Sequence, residues 1–199
     1  MSYAIEPISA CSAEAVTAIL ASSFFDDPIV RWMYPEPERY EREFANFVMC
    51  YGSDPFTRGS GAYHVDSHQG AFTWLPSGVH PDPDELECFF LDSVLPSRGS
   101  NALKLFEMSG RHQPSYPHCY MTLLGIDSRY RGRGFGSALM SYACELCDSK
   151  DEAAYLECSN PKNIPLYERF GFELLGRTEI DDSPPLFAML RVPRARARK

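Results

Sequence analysis

The stretch that decides the fold is LLGIDSRYRGRGFGSAL, residues 123–139. Its apolar start indicates a buried strand, and an apolar pattern with helical spacing follows the glycines. Three glycines lie close together: Gly132, Gly134 and Gly136. Three arginines add positive charge: Arg129, Arg131 and Arg133. Glycines let the backbone approach a ligand, and a helix N-terminus presents unpaired N–H groups and a positive dipole end. The segment therefore predicts a cradle for an anion, and a diphosphate is the natural guest.

The glycine spacing separates this cradle from two other phosphate loops. A dinucleotide fingerprint requires Gly-x-Gly-x-x-Gly near the first strand–helix unit, whereas this loop lies two-thirds along the chain and has Ala138 near the last position. A Walker loop requires Gly-Lys-Ser/Thr, which is absent. Neither loop type is predicted.

The flanking sequence predicts one α/β or α+β domain over residues 1–190. Strands are expected at 3–8, 62–65, 71–75, 119–126, 153–158, 173–180 and 186–190. Helices are expected at 12–23, with Ser12 as cap, and at 38–51, 85–91, 101–108, 136–148 and 164–170. Prolines break the segment 26–37, and loops are expected at 53–60 and 76–83. The strand–helix–strand order of the second half implies a parallel pair joined by a crossover helix.

Composition excludes several classes of protein. The 199 residues are 44% apolar and 23% charged, which suits one compact domain. A net charge of −8 disfavours nucleic acid as partner. No apolar run approaches the ~20 residues that cross a bilayer, and no signal segment begins the chain. Seven scattered cysteines, including Cys144 and Cys147, indicate reduced core thiols and a cytoplasmic location rather than a disulfide, redox or zinc site. The basic residues 191–199 are expected to form a solvated tail.

A second motif follows, with Asn160, then Tyr167 seven residues later, then Gly171-Phe172. Together with the pattern Arg131-x-x-Gly134-x-Gly136, it resembles the GNAT N-acetyltransferases, and most closely their puromycin N-acetyltransferase-like branch. The resemblance covers about residues 118–175. It departs from that branch at Arg131 and Arg133, where Gln and Lys are usual, but both arginines keep hydrogen-bond donors in the loop.

The resemblance implies a single GNAT-type domain with a mixed, twisted sheet of six to seven strands and splayed central parallel strands. It implies acetyl-CoA as co-substrate, bound by residues 118–175, and no metal. The thioester arm would lie in the gap between the splayed strands, where an N–H would polarise its carbonyl. The cofactor-binding residues it implies are Leu124, Ile126, Arg131, Gly132, Arg133, Gly134, Phe135, Gly136, Ser137, Asn160, Asn163 and Tyr167.

The catalytic candidates follow from the needs of amine acylation. By resemblance, the Tyr167 hydroxyl protonates the leaving thiolate, or donates a strong hydrogen bond to it, because a phenol is a weaker acid than a thiol. An alkyl amine with a pKa near 10 must lose a proton before it attacks. Glu157, at a strand end, is the first candidate for the base or amine anchor. His118 and Tyr120 are the next.

The sequence gives less information about the residues that bind the acceptor. The family holds its acceptor between the first helices and a late hairpin, here about residues 24–40 and 181–186. Four acidic residues there could attract an amine: Asp26, Asp27, Glu36 and Glu38. Core packing is the expected role of three aromatic residues: Trp32, Tyr34 and Trp74. The predicted function is acetylation of the primary amine of a small molecule by direct attack in a ternary complex, in a monomer or homodimer. A coenzyme A sensor and a protein or peptide N-acetyltransferase remain as alternatives.

Overall fold

A computed structural model describes residues 3–8, 13–51, 61–66 and 68–194. Its seven strands form one sheet in the order β1-β2-β3-β4-β5-β7-β6. The pair β4–β5 is parallel, and the other described pairs are antiparallel. The strands are β1 Ile5–Pro7, β2 Ala62–Val65, β3 Gly70–Leu75, β4 His118–Ile126, β5 Ala153–Cys158, β6 Glu173–Thr178 and β7 Leu186–Arg191.

Seven α-helices within the described ranges cover the two faces of the sheet. They are α1 Ala13–Phe24, α2 Pro28–Met33, α3 Pro37–Tyr51, α4 Pro83–Ser93, α5 Gly99–Gly110, α6 Phe135–Lys150 and α7 Ile164–Arg169. Buried residues of α1 to α5 form one apolar cluster on one face, and those of α6 and α7 form a second cluster on the other. The sheet therefore separates two distinct cores.

The helix α2 lies in the segment that the sequence indicated only as broken by prolines. Pro28 occupies its first turn, where a missing N–H costs nothing. The Asp27 carboxylate caps it by accepting from the N–H groups of Ile29 and Val30 at 3.0 and 3.2 Å. Pro28, which the sequence suggested would prevent a helix, is therefore the first residue of α2.

The parallel strands β4 and β5 diverge at a bulge in β4. On the β3 side, Thr73 lies opposite Leu123 and Trp74 opposite Met121, so Thr122 is an extra residue without a partner. Its hydroxyl is fixed by Thr73, with 2.8 Å between the two Oγ1 atoms. Pairing with β5 ends at Met121, opposite Leu156, although β4 continues to Ile126. A gap opens beyond this point, which confirms the predicted splayed strands.

The other predicted helices and strands that fall on described residues agree with the structure apart from shifts at their ends. Five side chains expected in the core are buried: Trp32, Tyr34, Trp74, Cys144 and Cys147. The assignment of Arg191 to the tail is wrong, because it ends β7, is 3% exposed and pairs with Asp148. Ser12, the loop 53–60 and the last five residues of the tail lie outside the described residues. None of the described helices is long and apolar enough to span a membrane.

Candidate active site

A cavity of about 530 Å³ occupies the gap between β4 and β5. Its walls come from both apolar clusters, since Leu123 and Leu186 belong to the α1–α5 side and Leu124 and Leu166 to the α6–α7 side. The cavity therefore crosses the plane of the sheet. We call its two halves the acceptor chamber, on the α1–α5 side, and the cofactor chamber, on the α6–α7 side.

The glycine-rich loop ends at the N-terminus of α6. Gly134, at φ 87°, precedes the helix in a left-handed conformation that favours glycine, and no side chain caps it. Within the helix the first bond runs from the Ala138 N–H to the Gly134 carbonyl at 3.0 Å. The preceding N–H groups, of residues 135–137, thus have no intrahelical acceptor. The Tyr3 hydroxyl holds the loop by donating to the Arg133 carbonyl at 2.6 Å.

Two of the predicted loop residues, Arg131 and Gly136, line the cavity directly. A Cβ on Gly136 would meet no heavy atom closer than 3.7 Å, so space remains beside the free N–H groups. Arg131 donates to the Ser23 carbonyl at 2.6 Å, which joins the loop to the end of α1. Bare N–H groups, open space and nearby positive charge fit the diphosphate of coenzyme A.

The unpaired part of β4 forms the floor of the cofactor chamber. Leu124 and Ile126 line it, and both keep their pairing with β3. Because β5 has diverged, no strand in the described part of the chain lies beside their other backbone edge. Such an edge can pair with the amide groups of an extended ligand, as an added strand would.

Asn160 and Asn163 lie at the mouth of the cavity. The Asn160 Oδ1 accepts from the Lys162 N–H at 3.1 Å and so caps the short 3₁₀ turn Pro161–Asn163. This leaves its amide N–H groups as donors toward a ligand. The capping and ligand-binding interpretations are therefore compatible.

Tyr167 is buried between the α6–α7 cluster and the cavity. Its ring packs edge-on against Phe172, with 6.1 Å between centroids. Burial raises the pKa of its hydroxyl, and the nearby Cys158 and Asp27 raise it further. The phenol is therefore protonated at neutral pH and able to donate.

Glu157 lies on the acceptor side of the gap and is hydrogen-bonded by three tyrosines from three elements. Its Oε2 accepts from Tyr51 at 2.9 Å and from Tyr120 at 2.8 Å, and its Oε1 accepts from Tyr155 at 3.0 Å. The Tyr51 and Tyr120 hydroxyls also contact each other. Burial raises the pKa of Glu157, whereas the hydrogen bonds lower it. Glu157 is therefore a partly buried carboxylate whose orientation is fixed by three hydroxyl donors.

His118 is not brought to this site. It pairs with Ala153 at the start of β5, whereas Glu157 lies near the other end of that strand, and His118 does not line the cavity. Its Nδ1 lies 2.9 Å from the Tyr116 carbonyl oxygen, and its ring packs near Tyr155. The strand register, which places the two candidates about four residues apart, is the physical reason.

The acidic candidates divide into two pairs. Asp26 and Asp27 line the cavity, whereas Glu36 and Glu38 are exposed and do not. The Asp27 carboxylate accepts from the Ser159 hydroxyl at 2.6 Å in addition to capping α2, and burial raises its pKa. Asp27 therefore joins the acceptor side to the end of β5.

Sequence reasoning missed the contribution of α3 and α5. Phe47 and Tyr51 come from α3, and Phe106 from α5, and all three line the acceptor chamber. In the sequence they belong to ordinary amphipathic helices, and nothing distinguishes a residue facing a cavity from one facing the core. Among the described residues, no group of three or more His, Cys, Asp or Glu could hold a metal.

Part of the chain matches a known protein family. Residues 102–172 match the sequence model of the acetyltransferase (GNAT) family. An uncharacterized N-acetyltransferase of Schizosaccharomyces pombe is 32% identical over 77 residues, which are 37% of this chain and 31% of that protein. The chain thus spans about a third of the length of the curated relatives it matches.

Solved structures resemble the chain over nearly its whole length. The crystal structure of "histone acetyltransferase HPA2 and related acetyltransferase" from Corynebacterium glutamicum has a TM-score of 0.72 and 25% identity, covering 99% of both chains. The polyamine N-acetyltransferase of Drosophila melanogaster, which forms N-acetylagmatine, has a TM-score of 0.63 and 16% identity, covering 96% of this chain and 100% of that one. The match to the family model and the similarity to the Corynebacterium glutamicum protein support an acyltransferase enzyme.

Proposed function

We propose that this chain, which has the fold of the GNAT acetyltransferases, is an acetyl-CoA-dependent N-acetyltransferase that acts on the primary amine of a small molecule. One observation carries the proposal: a single cavity crosses the sheet and joins a diphosphate-type loop to a chamber containing buried carboxylates. Two substrates that enter from opposite faces can meet in that gap. The transfer is therefore direct, in a ternary complex.

The cofactor chamber binds and orients the first substrate. The N–H groups at the start of α6, with Arg131, bind the diphosphate, and the open edge of β4 at Leu124 and Ile126 pairs with the pantetheine amides. Gly132 and Gly134 keep the loop in its left-handed turns, and Asn160 and Asn163 hold the arm at the mouth. Acetyl-CoA supplies the thioester, whose acetyl group the amine accepts.

The acceptor chamber prepares the amine. Glu157 accepts a proton from the bound ammonium, because a buried carboxylate of raised pKa is a better base than an exposed one. Tyr51 and Tyr120 hold the carboxylate in place. On the other side of the gap, Tyr167 donates its hydroxyl hydrogen to the sulfur as negative charge develops there.

A titration tests the proposal. Acetyl-CoA should raise the melting temperature, and a panel of small primary amines should produce thiol release that depends on amine. Stabilisation with release by no amine would favour a coenzyme A sensor, and peptides better than small amines would favour a protein acetyltransferase. Absence of stabilisation at saturating acetyl-CoA would refute the assignment of the loop.

Two narrower predictions accompany this function. The relation to the puromycin N-acetyltransferase-like branch stays a prediction, as does the choice between monomer and homodimer. A cytoplasmic location is consistent with the free, buried thiols of Cys119, Cys147 and Cys158, which a reducing compartment preserves.

A further inference from the structure

The acceptor chamber is walled mainly by apolar and aromatic side chains. Five of them define it: Met33, Phe47, Tyr51, Phe106 and Leu186. All five belong to the α1–α5 cluster or pack against it. The aromatic members contact one another, with Phe47 stacked on Tyr51 at 5.1 Å and Phe106 edge-on to Tyr51 at 5.2 Å between ring centroids. A ligand that lies against these five side chains therefore meets rings and methylene groups.

Charge in the cavity is divided between its two halves. The acidic residues Asp26, Asp27 and Glu157 belong to the acceptor chamber. Among the described lining residues, the basic ones are Arg131 and Lys162, and both lie on elements of the cofactor side. Glu157 stands in the gap, beyond which the wall formed by Phe47 and Phe106 carries no charge. Glu157 matches one ammonium at the gap, and the cavity-lining residues of α3 and α5 supply no carboxylate for a second one that lies against Phe47 and Phe106.

Two polar groups of the acceptor chamber, the Tyr51 hydroxyl and the Asp27 carboxylate, already have hydrogen-bond partners. The Tyr51 hydroxyl donates to Glu157, and Asp27 accepts from Ser159 and from two backbone N–H groups. A sugar acceptor would bring several hydroxyl groups into contact with rings that offer no hydrogen bond. Burial of unpaired polar groups is costly, so such a ligand is disfavoured.

We infer that the acceptor is a primary amine with a single positive charge and an apolar or aromatic body, rather than a polyamine or an amino sugar. The ammonium lies at Glu157 in the gap, and the body lies against Phe47 and Phe106. This inference rests on the proposed N-acetyltransferase activity and specifies its substrate class.

Matched amines test the inference. Hexylamine and 1,6-diaminohexane have the same length and differ by one terminal amine, 2-phenylethylamine supplies an aromatic body, and glucosamine supplies a polar one. We expect kcat/KM for hexylamine and 2-phenylethylamine to exceed that for the diamine and the amino sugar by at least 100-fold, since an unpaired ammonium in an apolar chamber is strongly disfavoured.

Two phenylalanine variants separate the chamber from the general core. Phe106→Ala should raise KM for hexylamine at least 10-fold with little change for the diamine, because it removes part of the apolar wall. Phe89→Ala is the matched control: Phe89 also packs on Phe47, at 5.9 Å between centroids, but does not line the cavity. It should leave KM for hexylamine unchanged. Phe106→Glu adds a carboxylate to the apolar wall, so it should shift the substrate preference from hexylamine toward the diamine.

The outcomes separate the inference from the proposed function. Preference for the diamine or for glucosamine would overturn the substrate class while the N-acetyltransferase assignment stands. Equal effects of Phe106→Ala and Phe89→Ala on KM would overturn the placement of the apolar body against Phe106. Acetylation of none of the four amines, with acetyl-CoA bound, would overturn the inference and count against the proposed function as well.

Discussion

Replacement of Glu157 by glutamine tests whether its carboxylate acts as the catalytic base or only stabilises the fold. In the variant, the amide oxygen can occupy the position of Oε2 and keep the bonds from Tyr51 and Tyr120. Its NH₂ group then faces Tyr155, whose hydroxyl also lies 3.2 Å from the Ser109 carbonyl and can donate there. All three tyrosine hydroxyls keep an acceptor, so we expect the free energy of unfolding to change by no more than about 1 kcal/mol.

The catalytic rate of Glu157→Gln, unlike its stability, should fall strongly. An amide cannot accept the amine proton, and loss of a general base typically costs about 10²–10⁴-fold in rate. Because burial raises the pKa of Glu157 above 4.5, the acid limb of kcat/KM for the native enzyme should lie above that pH, and Glu157→Gln should lose it. A raised pKa in the folded state also means that native stability falls as pH rises from the ordinary value through the raised one. The variant should lack that decline.

The assay is amine-dependent thiol release from acetyl-CoA, measured with thermal melting on the same preparations. Glu152→Gln is the matched control, since Glu152 also accepts from a buried group, the Cys119 thiol at 3.1 Å, but lies just before β5, away from the cavity. Retention of more than half of native kcat in Glu157→Gln would refute its role as base. A large loss of stability would show that the carboxylate is chiefly structural.

Three further predictions concern the leaving group, the loop and the fold. Tyr167→Phe should lower kcat about 10- to 100-fold with KM and melting temperature nearly unchanged, measured by steady-state kinetics, because only a donor to the sulfur is removed. Gly134→Ala should cost about 1–2 kcal/mol of stability, since φ is 87°, and should also raise the Kd for acetyl-CoA. Gly78→Ala, at φ 80° with open space around it, should cost similar stability and leave Kd unchanged by calorimetry. Asp148→Asn should destabilise by about 2 kcal/mol, because Arg191 is buried and loses its paired charge.

Each of these has a contrary result. Unchanged kcat in Tyr167→Phe would show that the hydroxyl takes no part in the mechanism. Equal affinity for acetyl-CoA in the two glycine variants would show that the loop at Gly134 does not bind the cofactor. The hydrogen bonds from Arg191 lower the pKa of Asp148, so its stabilisation is complete above the ordinary carboxyl pKa and is lost as pH falls through the lowered one. If Asp148→Asn kept the native acid-unfolding profile, that linkage would be wrong.

Local signals in the sequence account for most of the fold. Gly134 marks the turn before α6 because its conformation excludes most other residues, and the strands with period-two or continuous apolar patterns are where expected. The bulge was not foreseeable, since it is defined by the register between Thr122 and β3, which the sequence of β4 alone does not give. Prolines in 26–37 concealed α2, because the same residue type ends a helix or begins one.

The candidate site was foreseeable on the cofactor side and much less on the acceptor side. Arg131, Gly136 and Tyr167 belong to one continuous segment whose spacing carries the information. Tyr51 and Phe106 reach the cavity from helices far away in the chain, and only tertiary packing puts them next to Glu157. Glu157 was the first candidate for the base and His118 one of the next, and the register of β4 and β5 places only Glu157 at the cavity.

The bulge at Thr122 means that the cleft depends on how many residues β4 contains more than on which residues they are. Deletion of one residue there would let β4 continue its ladder, giving a more regular sheet and a closed gap. Natural variation in this strand should therefore include very few insertions or deletions. A protein engineer who idealised the sheet for stability would remove the reaction chamber in the same step.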